Sequence, residues 1–194
     1  MTATPAKDGK PTDKPALPRV KLDLVAGLLS YLIPGLGQIL QGRIAKGVLF
    51  FVGLYALFFY GMSLGKWKNV YLPDSGEKGN PITRVLSDLY NRPHFAGQFF
   101  IGTAAWPALW QYANYDATKE EGPIFGKAMR TPTPEEINKL QREENKSFDL
   151  GWVYTVIAGV LNILVIYDAI AGPAFREVLV KEPEAPKPPQ TITA

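Results

Sequence analysis

Cysteine is missing from all 194 residues, and histidine occurs once, at His94. Without thiols the chain can form neither disulfides nor thiolate metal centres, and a single imidazole cannot build a clustered histidine site for zinc. No glycine-rich phosphate loop is present, because Gly35 and Gly37 lack a third glycine at the required spacing. An interleaved basic and aromatic stripe is also lacking. The net charge of +3 and the pI of about 9.0 therefore fit loops that face anionic lipid, with no nucleic acid as partner. No motif calls for a cofactor or a metal.

What the chain does hold is long apolar stretches. Mean hydropathy is only -0.04, but that average hides segregation, since polar tails and loops dilute very apolar segments. The chain is organised around residues 22–65. From Leu24 to about Leu40 no side chain is charged, and the roughly 17 residues are near the lower limit for crossing a hydrocarbon core. Pro34 lacks an amide donor while Gly35 and Gly37 add backbone freedom, so a kink or short break is expected there. A second arm, Val48 to Leu64, carries no charge at all. Together the arms predict a membrane helical hairpin with Arg43 and Lys46 at its tip, where long basic side chains reach head groups. Gly27, Gly35, Gly42, Gly47 and Gly53 supply small surfaces for close backbone approach.

The pattern Pro34-Gly35-Leu36-Gly37-Gln38, then Gln41-Gly42-Arg43 and Lys46-Gly47 before an aromatic-rich helix, resembles a widespread group of small bacterial membrane proteins of unknown function. Their hairpin is similar to the two-transmembrane-helix domain family, in which a Gly-rich turn with a basic residue joins two spans. The likeness covers about a quarter of the chain. It implies insertion in the bacterial cytoplasmic membrane and no known chemistry.

Either side of the hairpin the composition changes. Residues 1–21 are rich in Pro, Lys, Asp and Thr and read as a disordered tail. The first apolar run starts too far from Met1, and without a small-residue cleavage site, to be a removed secretory peptide; it serves as an uncleaved anchor. Residues 66–94 form a loop that opens with Lys66, Trp67 and Lys68 at an interface, turns through 72–79, and contains a helix at 81–91. Asn80-Pro81 starts that helix, and Ile82, Val85, Leu86, Leu89 and Tyr90 share one face, as in an amphipathic helix lying along a membrane surface. A third membrane segment spans 95–115, interrupted by Trp106-Pro107, with either a full crossing or a re-entrant path open to it. The hydrophilic loop 116–150 carries a capping box, Thr133 with Glu136, for a mostly wet helix at 134–145. A fourth segment, 151–172, closes at Gly172-Pro173, and residues 173–194 read as a second disordered tail.

The fold class so predicted is an all-α integral membrane protein with about four transmembrane helices and a short interfacial helix. With four spans, Lys and Arg divide 13 to 8 in favour of the side that holds both termini, which places them in the cytoplasm. Polar groups within the apolar segments are functional candidates by default. Asn162 lies near the middle of the fourth segment and Asp168 further along. With them stand Pro34, Gly35, Gly37, Gln38, Gly42, Arg43, Lys46 and Gly47 as residues of function or packing.

Three readings follow. The first is a non-enzymatic structural, assembly or interaction component whose partners are membrane lipids, other membrane proteins or further copies of itself. The second is a small transporter or lipid-handling protein built on Gln38, Asn162 and Asp168. The third and most remote is an intramembrane serine hydrolase, since Gly61-Met62-Ser63-Leu64-Gly65 fits a nucleophile-elbow pattern and His94 could serve as base.

Overall fold

A computed structural model describes residues 22–73, 80–116, 118–143 and 146–180. It is helical throughout, with no strand among the described residues. The tail expected at 1–21 and residues 181–194 of the tail expected at 173–194 lie outside the described residues, as does most of the turn expected at 72–79.

Two helices are long and apolar enough to cross a membrane. These are α3, Ile44–Leu64, and the Ser147–Gly172 portion of α8, which itself runs Ser147–Val180. They pack antiparallel, with Gly61 against Gly151 at one end and Lys46 beside Asp168 at the other. Gly61 and Gly151 set that approach, since a Cβ on Gly151 would overlap the Gly61 carbonyl. The helix expected to close at Gly172-Pro173 continues through that pair to Val180.

The first expected span is corrected. Helix α1, Leu24–Leu32, stops before Pro34, and Gly35 takes φ +85°, which reverses the chain into the short α2, Leu36–Leu40. Gly37 then lies against the Ala26 carbonyl and the Ser30 hydroxyl, with no room for a Cβ. Both ends of this V sit at one level of α8: the Asp23 amide donates to the Ile170 carbonyl (3.0 Å), and Gln41 Nε2 donates to the Ala169 carbonyl (2.7 Å) and to Asp23 Oδ2 (3.1 Å). Five residues of α2 rise about 7.5 Å. That is far short of a bilayer core of about 30 Å.

The third segment breaks in the same way. Helix α5, Pro93–Phe99, ends before Gly102 at φ +85°, and a 3₁₀ turn, Thr103–Ala105, leads into α6, Trp106–Ala113. This second V starts beside Trp152, on which the His94 ring packs edge-on at 4.2 Å, and Gln98 donates to Thr155 Oγ1 at 2.8 Å. It returns to the same end, where Gln111 binds the 124–128 loop carbonyls. The two V shapes thus enter from opposite ends of the α3–α8 pair, and their tips meet. Thr103 Oγ1 donates to the Leu32 carbonyl (3.0 Å), and Asn162 Nδ2 donates to the carbonyls of Ser30 (3.2 Å) and Phe100 (2.8 Å). In place of four spans there are two spanning-length helices and two broken, returning segments.

Helix α4, Pro81–Asn91, forms where expected, capped by Asn80 Oδ1 on the Ile82 amide (3.1 Å). Its polar side faces the protein: Asp88 is fully buried and accepts from the Tyr112 hydroxyl (2.7 Å), while Ile82, Leu86 and Tyr90 are exposed. Helix α7, Pro134–Glu143, keeps the reciprocal cap between Thr133 and Glu136, at 3.2 Å each way. Lys68 adds an ion pair to Glu136 at 2.7 Å, which holds that carboxyl below its usual range.

Between α3 and α8 lies an apolar core that includes Leu54, Phe58, Met62, Ile101 and Ala158, but polar side chains share that interior and large apolar ones stay outside. Ser30, Gln38, Gln98, Thr155 and Asn162 are fully buried, whereas Val48, Leu49, Val52, Phe59, Ile157, Leu161 and Leu164 are exposed.

Candidate functional site

At the end where α1 begins, α2 ends and α3 starts, a polar cluster closes on α8. Its centre is Asp168. Arg43 Nη2 approaches Asp168 Oδ2 at 2.7 Å, Lys46 Nζ reaches Oδ1 at 2.6 Å, and Gln38 Nε2 donates to Oδ2 at 3.2 Å. Arg43 Nη1 also donates to the Asp168 carbonyl at 3.3 Å. These are charge-assisted bonds, stronger than neutral ones. They tie the chain between α2 and α3 to a helix more than a hundred residues away.

Backbone chemistry puts the groups there. Gly35 and Gly47 lie back to back, so that a Cβ on either would overlap the other's carbonyl, and this brings the α2 turn onto the first turn of α3. Arg43 is the residue before α3, and Lys46 lies one turn on, so both project toward α8. A Cβ at Gly172 would meet the Arg43 guanidinium 2.6 Å away, so the glycine there leaves it room. Gly42, at φ +75°, has open space beside it.

From Asp168 the network runs inward. Gln38 Nε2 donates to the Val165 carbonyl (2.8 Å), the Ser30 hydroxyl donates to Gln38 Oε1 (2.9 Å), and the Gly37 amide donates to that hydroxyl (3.1 Å). Ser30 then joins Asn162 through its carbonyl. Asn162 lies about 9 Å further along α8 from Asp168, by helical rise. Beyond the tips, Gln98 continues the polar column to Thr155 and to the Asn69 carbonyl (3.1 Å), where the buried Arg92 also donates (3.1 Å).

Nearly all the residues singled out in the sequence therefore meet. Gly35, Gly37, Gln38, Arg43, Lys46, Gly47 and Asp168 share this cluster, and Asn162 is joined to it through Ser30. Pro34 stands at the V tip, and Gly42 is exposed beside the cluster. Sequence reasoning missed Ser30, Asp23, Thr155 and Asn69, while Gln98, an uncharged polar group expected to face other helices, does so. A signal existed for Asp23, one residue before a helix and able to cap it. Its carboxylate accepts from the Ala26 amide (3.0 Å), and that bond, with one from Gln41, holds its pKa below the usual value.

The cluster ties chain segments together, and among the described residues it sets no nucleophile beside a base. Ser63 is exposed on α3, and no hydrogen bond joins it to His94. Burial, with Arg92 nearby, pushes the His94 imidazole down to about 4, which leaves it a weak base. Among the described residues no group of three or more His, Asp or Glu side chains is placed to hold a metal ion.

Comparison with curated proteins gives no match, and neither does comparison with solved structures. A family model does match, over residues 25–182, a stretch that takes in both V-shaped segments and both long helices. The chain belongs to that family, a family of unknown function (DUF6677).

Proposed function

We propose that this is an integral membrane protein with a structural, assembly or interaction role in the bacterial cytoplasmic membrane, and not an enzyme. One observation carries the reading. Large apolar side chains cover the outside of α3 and α8, and only 28% and 33% of their most apolar windows are buried, while the interior holds fully buried amide and hydroxyl side chains beside an apolar core around Phe58, Met62 and Ile101. In water such an arrangement would leave an apolar surface well beyond the few hundred Å² that soluble monomers expose. In lipid it has the opposite sign: the outer face is solvated and the inner polar groups bind each other. The exposed apolar face of α4 fits an interfacial helix.

Both termini share a side in this reading. With two spans the 13 to 8 division no longer holds, because the broken segments return to their own sides. Lys and Arg then divide 10 to 11 between the side of the termini and the other side, so with two spans the charge count selects no orientation. Partners are then lipids, other membrane proteins or further copies of the chain.

The test is extraction. The expressed chain is expected to stay in the membrane pellet through alkaline carbonate washing and to need detergent for release. Recovery as a dispersed protein without detergent overturns the reading.

A second reading, a small transporter, is favoured by the paired broken segments that enter from opposite ends and meet at Asn162, an arrangement transporters use around midplane sites. Asn162→Leu and Asp168→Leu separate the two. Solute or lipid movement lost in a folded variant supports transport, and partner recovery unchanged in both supports the assembly role.

A further inference from the structure

An open cleft of about 570 Å³ lies beside Asp168, lined by Gly42, Arg43, Ile44, Ala45, Lys46 and Gly172. Two cations and one carboxylate give it a net positive charge. The carboxylate does not exhaust its partners. Of the three donors on Lys46, one is directed to Asp168, and the side chain is 41% exposed. Arg43 Nε has no hydrogen-bond partner among the described residues, while its Nη1 and Nη2 bind Gln41 and Asp168. Asp23, also at this end, has its carboxylate oxygens on the Ala26 amide and Gln41.

The cleft has a second property. It opens directly onto the outer face of α3, where Ile44, Val48 and Leu49 are exposed, with Ile44 and Val48 four residues apart on one side of the helix. A charged pocket above an apolar wall is the complement of an amphiphile. A soluble phosphate would meet only the pocket, whereas a phospholipid meets both, with its phosphate at Arg43 and Lys46 and an acyl chain along α3. The net charge favours a head group whose phosphate is not offset by an ammonium.

We propose that the Arg43–Lys46–Asp168 cleft binds the phosphate of an anionic phospholipid from the surrounding leaflet. The proposal rests on the membrane reading above and names the lipid class and the residues that select it.

The test uses the full chain reconstituted in equal phosphatidylglycerol and phosphatidylcholine, extracted in mild detergent, with retained lipid measured by native mass spectrometry. Phosphatidylglycerol is expected to be enriched. Lys46→Gln, which leaves the Arg43–Asp168 pair intact, is expected to reduce that enrichment about fivefold, the effect of one basic residue at a membrane surface. Lys46→Arg should retain it, as should Lys139→Gln at the opposite end. Equal retention of both lipids, or an unchanged preference in Lys46→Gln, overturns the proposal. So does displacement of the lipid by millimolar inorganic phosphate, which would assign the cleft to a soluble anion. A chain that never enters the bilayer fails the membrane reading itself, whereas one that inserts without lipid preference fails only this inference.

Discussion

Asn162 holds two pieces of the fold with one amide group. Its Nδ2 hydrogens go to the carbonyls that end α1 and α5, Ser30 and Phe100, which α-helical bonding leaves without partners. Asn162→Leu removes both donors and leaves two buried carbonyls unpaired, so a loss of about 1–3 kcal/mol is expected, read as a lower thermal midpoint in detergent. Asn162→Asp should be as harmful, because a carboxylate offers no donor. His94 gives a prediction of different kind. Its imidazole titrates at about 4 in the fold and near 6.5 when free, so below pH 6.5 the unfolded chain takes up a proton that the folded chain refuses. Stability should therefore fall as pH drops from about 6.5 toward 4, and His94→Gln should flatten that slope. As the only histidine in the chain, it gives an unambiguous NMR titration.

At the scale of elements, the first break shows how local chemistry and packing combine. Gly35 and Gly42 both adopt positive φ, at 85° and 75°, but only Gly35 faces another backbone. Gly42→Ala should cost only the left-handed conformation, about 1–2 kcal/mol. Gly35→Ala should cost more, about 2–4 kcal/mol, because the new methyl also pushes Gly47 and the start of α3 away. The same comparison should separate function. Gly35→Ala displaces Arg43 and Lys46 from Asp168, whereas Gly42→Ala leaves them in place. Proteolysis between α2 and α3 would report the difference. Helices α4 and α7 were legible in advance, since a Pro at the first helical position and an oxygen cap specify a start locally, and both starts fall where expected. Less legible was the face each would turn inward. The apolar side of α4 reads from its spacing as a membrane-facing side, but nothing local shows that the opposite side would bury Asp88.

For the whole molecule, the membrane reading proposed above turns on how many times the chain crosses. A background without cysteine makes this directly measurable with single cysteines and an impermeant thiol reagent. In the arrangement described, Asn91→Cys and Lys127→Cys should label from the same side, and Ala45→Cys from the other. With four spans, Ala45 and Lys127 would share a side and Asn91 would oppose them. The sequence alone determined much of this protein. The two long apolar helices, the Pro34-Gly35 break, the capped helices and the polar residues at depth all follow from composition and spacing, which are local properties. It could not determine the direction the chain takes after each break, because an apolar stretch of given hydropathy reads identically whether it crosses a membrane or turns back. That choice belongs to the tertiary structure. Gln41 on Ala169, Arg43 and Lys46 on Asp168, and Asn162 on two helix ends fix the path of the chain, and each of these bonds joins residues that only the folded chain brings together.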